Sequence, residues 1–469
     1  MFHNEGENVM RVKKAIAYLV AAAAGVSLIA APVAAAPSSV RVAPAPLVPL
    51  PQELDSSFYR PAQSRVAAAS PGEILGARRI NAANFGVAPL NVDAWQLSFR
   101  STDTSGRAIP AVTTILKPRG TTKGPRKVIS MQIAEDSTAG YCSTSYAIQH
   151  LNASPLLGQV VAPAELLVGQ GFLAQGYALV LPDHEGPNHA YAAGPLGARI
   201  TLDSLRAAKQ FAPSTITDAS PIGLYGYSGG AIVTGHTAEL KQSYAPELNI
   251  VGAAEGGVPA DLGSLLRTAQ NGATSGLVLG AVFGLAREYK YFDSFLDRRL
   301  NPLGKGLRDL KGPLCVQYQA ATFPFLNNTG LIDWPGGALN APSVKRLLSD
   351  TRMGRARPDM PMYIWNSQLD EIVPVGQVNT LVKKYCAAPG PSITYTRDHL
   401  SEHIIGEVAG APMAFLWLKD RLDGKPATPG CTTRDELSMA TDAKWWPTFS
   451  RTIGTDLAAL FGAAIGRGK

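Results

Sequence analysis

The chain has 469 residues, 46% of them hydrophobic and 17% charged, with 46 glycines and 35 prolines, a composition that excludes both a disordered and a collagen-like polypeptide. That length is several times the usual ~100–150-residue domain, so it allows one large core with insertions or two to three domains. Its 43 basic and 36 acidic residues leave a net charge of +7 with no long block of one sign, and nucleic-acid binding is not the reading such a charge favours.

In chain order, Arg11, Lys13 and Lys14 precede an uncharged run that ends in small residues, so residues 1–35 read as a secretory signal peptide. A retained anchor is the alternative, because the run approaches the ~20 residues that span a bilayer. Residues 36–61 are rich in Pro and Ala, which disfavours helix and central strand alike and predicts an extended arm. Residues 94–100 and 111–116 alternate apolar and polar side chains around Thr104-Ser105-Gly106, the pattern of a hairpin. Short β-rich runs follow at 127–133, 177–181, 222–225 and 362–365, separated by helical patterns such as 162–175 and 202–211. Strands alternating with helices predict an α/β fold with a mostly parallel central sheet.

Residues 258–354 break that rhythm. Helical patterns at 262–269, 277–289 and 292–300, with no strand-like run before 315–318, predict a helical cap inserted over the carboxyl edge of the sheet. The core would then comprise residues 62–257 and 355–431. In the remaining tail, 432–469, Trp445-Trp446-Pro447 precedes Ile453, Leu457, Leu460, Phe461 and Ile465 at helical spacing. This predicts an amphipathic helix, either docked on the body or lying on lipid.

Four cysteines, Cys142, Cys315, Cys386 and Cys431, suit an oxidising compartment and permit three pairings. The favoured one joins Cys386 to Cys431 locally at the chain's end and Cys142 to Cys315; unpaired buried thiols are the alternative. None lies at a zinc-ligand spacing.

The most informative segment is Ile222-Gly223-Leu224-Tyr225 followed by Gly226-Tyr227-Ser228-Gly229-Gly230 and a helix-compatible run. A serine on such a strand-to-helix turn needs glycine neighbours, since larger side chains would collide with the adjoining strand and helix. Ser228 would need a histidine base oriented by a carboxylate, in the chain order Ser, acid, His. Asp370 follows the β-rich 362–365 run and a polar turn, with Glu371 as runner-up. His403 stands before the apolar helix predicted at 412–422, with His399 as its rival; His236 sits on the nucleophile's own helix. One oxyanion donor would be the backbone N–H of Gly229. The second would come from the loop after 127–133, where Asp136 is the candidate. Asp183-His184-Glu185 precedes the serine and reads as a structural loop beside the cleft.

These residues resemble the secretory lipase family of α/β-hydrolases. The likeness rests on Gly226-Tyr227-Ser228-Gly229-Gly230, on Leu181-Pro182-Asp183-His184-Glu185-Gly186 with the 201–208 segment after it, on Asp136 followed by Cys142, and on Glu402-His403 leading into Trp417-Leu418-Lys419-Asp420-Arg421. It implies a helical lid between nucleophile and acid and a Ser228, Asp370 and His403 triad. It also implies Asp136 and Gly229 at the oxyanion hole and the two disulfides favoured above. One departure is the Gln132-Ile133-Ala134-Glu135 stretch, where the family pattern leads one to expect an aromatic residue.

The reading is a secreted serine carboxylester hydrolase, a triacylglycerol lipase foremost, with a carboxylesterase or an envelope-lipid acyltransferase as the enzymatic alternatives. A non-catalytic exported binding protein is the alternative from another class. No metal or organic cofactor is implied. The expected partner is a lipid or ester substrate, met at a lipid–water interface or on the producer's envelope, with no nucleic acid, no required protein partner and a monomeric state.

Overall fold

The computed structural model describes residues 40–466 apart from 388 and 391. The leader read at 1–35 lies outside these residues, as do residues 36–39 of the predicted arm and the last three of the tail. The strands are β1 (Val42–Ala43), β2 (Ile74–Arg79), β3 (Ala83–Asn84), β4 (Ala88–Pro89), β5 (Asp93–Thr102), β6 (Ala108–Lys117), β7 (Val128–Gln132), β8 (Ala178–Pro182), β9 (Ile222–Tyr227), β10 (Ile250–Gly256), β11 (Met362–Ser367), β12 (Ile393–Asp398) and β13 (Cys431–Glu436). Among the described residues, eleven of them form one sheet in the order β1-β2-β5-β6-β8-β7-β9-β10-β11-β12-β13, while β3 and β4 pair separately. The run from β8 to β13 is parallel throughout.

The predicted hairpin is β5–β6. Its turn is held by Asp103, whose carboxylate accepts the Ser105 and Arg107 N–H groups at 2.9 and 2.8 Å. Alternation there does not mean that one face is wet. Gln96 and Ser98 are as buried as Trp95, Leu97 and Phe99, and Gln96 is satisfied there by Arg78, which donates to it at 2.7 Å from the neighbouring β2. Part of the predicted arm adds β1 to the sheet edge, and a short helical turn at Ser56–Tyr59 buries Tyr59.

Along the central strands successive residues serve opposite faces, as the two-residue repeat of a strand requires. Val128, Leu224 and Ile364 face one apolar layer; Ile129, Tyr225 and Trp365 face the other. Helices α1 (Val161–Ala174), α2 (Gly194–Gln210) and α3 (Gly229–Tyr244) precede β10. Residues of α2 and α3 fill the first layer and those of α1 the second, so both faces of the sheet are covered and its strands read as continuous apolar runs.

Between β10 and β11 come α4 (Leu262–Ala269), α5 (Ser275–Glu288), α6 (Lys290–Arg299), α7 (Pro302–Lys311), α8 (Val316–Ala321) and α9 (Pro342–Asp350), and the stretch gives no strand to the sheet. The strand expected at 315–318 is instead the start of α8. Val316 and Gln319 are buried one helical turn apart, and that packing outweighs the β preference of Val316 and Tyr318. Afterwards α10 (Val375–Tyr385), α11 (His403–Leu422) and α12 (Trp445–Leu460) complete the chain. Helix α11 begins at His403, not at the predicted 412, because Glu402 caps it by accepting the Ile404 and Ile405 N–H groups at 2.8 and 2.6 Å; Pro412 lies within it. Helix α12 rests on α11, where the Trp445 indole N–H donates to the Ala409 carbonyl at 2.9 Å. Disulfides join Cys142 to Cys315 and Cys386 to Cys431.

Candidate active site

Ser228 stands between the end of β9 and the start of α3 with φ +48° and ψ −118°, a backbone conformation that a non-glycine residue adopts only when its surroundings impose it. The chain is forced through a narrow gap. A Cβ on Gly230 would lie 1.9 Å from the Gln132 carbonyl oxygen, and one on Gly229 would lie 1.7 Å from Asp136 Oδ1. The glycines therefore let the turn press against the end of β7 and hold the serine hydroxyl above the sheet.

The structure brings the three sequence-predicted residues together. His403 Nε2 is 2.8 Å from Ser228 Oγ, and its Nδ1 is 2.9 and 2.8 Å from the two Asp370 oxygens. Asp370 is fixed by accepting the Ile372 and Val373 N–H groups at 3.1 and 2.6 Å. Glu371, the runner-up acid, accepts the His403 backbone N–H at 3.2 Å and so grips the main chain instead of the ring. Burial pulls the imidazole's pKa down, but the hydrogen bond and charge of Asp370, reinforced by Glu371 and Glu407, outweigh it and hold His403 above its ordinary value. The rival His399 is on the surface, paired with Asp435 at 2.9 Å. His236 is buried within α3 near the Thr351 carbonyl, at 3.1 Å.

Asp136 has φ +44° and lies against Gly229 across the serine turn. Burial pushes its carboxyl up to about 7, with the positive charge of His403 acting in the opposite direction. Its loop is anchored by acids that the sequence reading did not assign to it. Glu165 accepts the Ala134 N–H at 3.1 Å, Glu135 accepts the Thr144 N–H at 2.7 Å, and Glu185 accepts both the N–H and the hydroxyl of Ser137 at 3.1 Å. In the same segment Asp183 accepts the Ser145 N–H at 2.7 Å, and His184, pushed down to about 4 by burial, contacts the Ile133 carbonyl at 2.7 Å. The 183–185 segment thus holds the floor of the site. Of these acids, Glu165 alone carries a signal that could have found it, a lone carboxylate in an otherwise apolar run, Ala164-Glu165-Leu166.

Two cavities meet at Ser228. A narrow one of about 90 Å³ runs beneath the inserted helices, walled by Leu265, Leu277, Val282, Phe292 and Leu347. A wider one of about 690 Å³ passes His403 and extends between α1, α11 and α12.

A doubly covered, mostly parallel sheet that presents a serine on the turn between a central strand and its helix, against a histidine and an aspartate from later connections, defines an α/β-hydrolase. The chain belongs to the secretory lipase family, whose model matches residues 152–430. It is 35% identical over 429 residues to lipase A of Arthroderma benhamiae, covering 89% of this chain and 90% of that protein. A probable inactive lipase of Mycobacterium tuberculosis is 32% identical, with 80% and 83% covered. Among solved structures, Candida antarctica lipase A superposes with a TM-score of 0.78 at 30% identity, over 88% of this chain and 95% of that one. The activity class these relatives support is lipase or esterase hydrolysis.

Proposed function

We propose that the chain is a secreted triacylglycerol lipase that acts through an acyl-enzyme on Ser228. The observation that carries this reading is His403 spanning Ser228 and Asp370 within hydrogen-bond distance on both sides. Ser228 Oγ attacks the ester carbonyl while His403 Nε2 takes its proton, and Asp370 holds the imidazolium that results. The carbonyl oxygen, now negative, receives the backbone N–H groups of Gly229 and Asp136. His403 then returns the proton to the departing alcohol, and water releases the acid by the same route.

A lipase is favoured over an esterase for small soluble esters by the apolar tunnel beneath the cap and by the exposed side chains beside the site. Ile404 and Ile405 of α11 and Trp446, Leu457 and Phe461 at α12 all face solvent, on the two helices that line the wider cavity. Secretion accords with the two disulfides. The Ser228, His403 and Asp370 arrangement favours this reading over a non-catalytic hydrolase-fold protein.

The test is fluorophosphonate labelling of wild type and Ser228→Ala, together with hydrolysis of emulsified long-chain triacylglycerols. Labelling confined to wild type, with fatty acid released, is expected. A label that persists in the variant removes Ser228 from the reaction; activity restricted to C2–C4 esters makes the protein a short-chain carboxylesterase.

A further inference from the structure

Two residues beyond Asp136 stands Thr138, which is buried and gives every polar group it has to the inserted helical segment. Its N–H donates to the Leu314 carbonyl at 3.3 Å. Its hydroxyl donates to the Lys311 carbonyl at 2.8 Å and accepts from the Gln319 side chain at 2.7 Å. Its own carbonyl accepts from the Arg287 guanidinium at 2.5 Å. The preceding residue, Ser137, is held by Glu185. Asp136 is therefore followed by one residue fastened to the core and one fastened to the cap. Its φ of +44° is a conformation that a non-glycine residue keeps only where its neighbours impose it, so these attachments set the direction of its backbone.

The attachments are not equivalent. Lys311, Leu314 and Gln319 flank Cys315, whose bond to Cys142 ties that part of the cap to the continuation of the Asp136 loop itself. Arg287 comes from α5, the helix whose Leu277, Val282 and Leu285 wall the narrow cavity. Besides Thr138, its guanidinium reaches the carbonyls of Asn188 at 3.2 Å and His189 at 3.5 Å, on the chain that continues from the 183–185 segment, and of Gly312 at 3.2 Å. None of these partners is a carboxylate. A planar fork of donors spent on main-chain carbonyls from three segments fixes the spacing of those segments instead of balancing a charge, and a point-like ammonium cannot span them.

We propose that Arg287 is a positioning residue for the oxyanion hole: it ties α5 to the Asp136 loop and so holds the Asp136 N–H where the negative oxygen forms. The proposal rests on Ser228 being the nucleophile and on Asp136 supplying an oxyanion donor. Arg287 itself touches neither substrate nor triad in this scheme; it acts through Thr138.

The experiment compares two inhibitors of one chain length, decyl trifluoromethyl ketone and decyl methyl ketone. Ser228 Oγ adds to the activated carbonyl carbon of the first, His403 takes the serine proton, and the ketone oxygen becomes an oxyanion that has no leaving group to expel; the second binds without stable addition. The ratio of their affinities thus reads the oxyanion site apart from the fit of the chain. Arg287→Met is expected to lower this ratio, and kcat on p-nitrophenyl octanoate, by about 10²-fold, the cost of a donor displaced by about 1 Å, with KM and the affinity for the methyl ketone nearly unchanged. Arg287→Lys, which keeps the charge, should lower both about tenfold, and its thermal unfolding followed by circular dichroism confirms that the fold is retained if the methionine variant does not fold. An unchanged ratio in either variant overturns the proposal, as does an equal loss of affinity for both ketones, which would make Arg287 a support of the cavity wall alone. Ser228→Ala and Gly229→Ala are measured in the same way. If wild type shows no preference for the trifluoromethyl ketone, or Ser228→Ala keeps one, the reading of Ser228 fails; if Gly229→Ala leaves the ratio intact, the oxyanion assignment fails; if Gly229→Ala lowers it and the Arg287 variants do not, only the role of Arg287 does.

Discussion

The Tyr227 hydroxyl donates a 2.6 Å hydrogen bond to the backbone carbonyl of His403, and its ring stands 5.2 Å from the imidazole. The residue before the nucleophile thereby sets the height of the residue that would activate it, linking the end of β9 to the start of α11. Tyr227→Phe keeps the ring and loses the bond, a net change of about 1 kcal/mol for such a contact. Its expected effect is a severalfold lower kcat with KM nearly unchanged, measured on a soluble p-nitrophenyl ester. An unaltered kcat would show that packing alone holds His403 in place.

Gly229 and Asp136 are pressed together so closely that a methyl group on the glycine would overlap Asp136 Oδ1. Gly229→Ala must therefore push the Asp136 loop away from the serine turn, separating the two proposed oxyanion donors. Loss of one such donor costs about 10²–10³-fold in kcat, and a drop of that size is expected here with fluorophosphonate labelling slowed in parallel. Circular dichroism on the same sample checks that the fold is kept.

Proton linkage has a definite sign at His403. The group must be neutral to accept the serine proton, and its pKa is held above the usual ~6.5 of histidine. The acid limb of kcat/KM should accordingly have its midpoint above that value. A raised histidine stabilises the fold fully at pH below its unfolded pKa and loses that contribution as pH rises through its folded one, so this residue stabilises least where it would be most active. Glu371→Gln removes one of the charges that raise it and should move the limb to lower pH. A limb that stays put would mean that Asp370 and Glu407 set the value without Glu371.

The nucleophile turn was legible because its steric demand writes glycines into the sequence at Gly226, Gly229 and Gly230. Asp370 and His403 followed from chain order once Ser228 was fixed. Strand β10 was not legible, for a physical reason: its Ile-Val-Gly-Ala-Ala-Glu-Gly run is small where tryptophans from neighbouring elements fill the space. A Cβ on Gly256 would lie 2.0 Å from the Trp365 ring, and one on Gly252 would lie 2.9 Å from Trp417. Strand β13 is an exposed edge of polar residues, so no hydrophobic pattern marks it. The acids that anchor the Asp136 loop, Glu135, Glu165 and Glu185, lie apart in sequence, and only the packing of α1 and the 183–185 segment against that loop brings them to one place.

The tunnel beneath the inserted helices gives a substitution that should change the preferred substrate without touching the triad. Val282 on α5 is half-buried and lines the narrow cavity, so Val282→Trp fills space that a long acyl chain would need. Hydrolysis of C12–C18 p-nitrophenyl esters should fall at least tenfold relative to the C4 ester, since a filled subsite excludes a chain by overlap rather than by weakened contact. An unchanged chain-length profile would send the acyl chain elsewhere.

The two disulfides should part company under reductant. Cys142 and Cys315 are fully buried, and their bond ties the segment just beyond Asp136 to the start of α8, next to the Thr138 N–H that donates to the Leu314 carbonyl at 3.3 Å. In chain-entropy terms a bond spanning 173 residues is worth about 5 kcal/mol. Cys431 is exposed at the edge strand β13, and its bond to Cys386 spans 45 residues far from Ser228 in sequence. Thiol exchange needs access to a sulfur. Mild reductant without denaturant should therefore free Cys386 and Cys431 while hydrolysis persists, and Cys142 and Cys315 should open only once denaturant is added, with activity lost at that step as the Asp136 loop is released. Alkylation at timed intervals, mapped by mass spectrometry against residual activity, measures both. Labelling of Cys142 before Cys431, or loss of activity with only Cys386 and Cys431 labelled, would place the functional constraint at the sheet edge instead of at the loop.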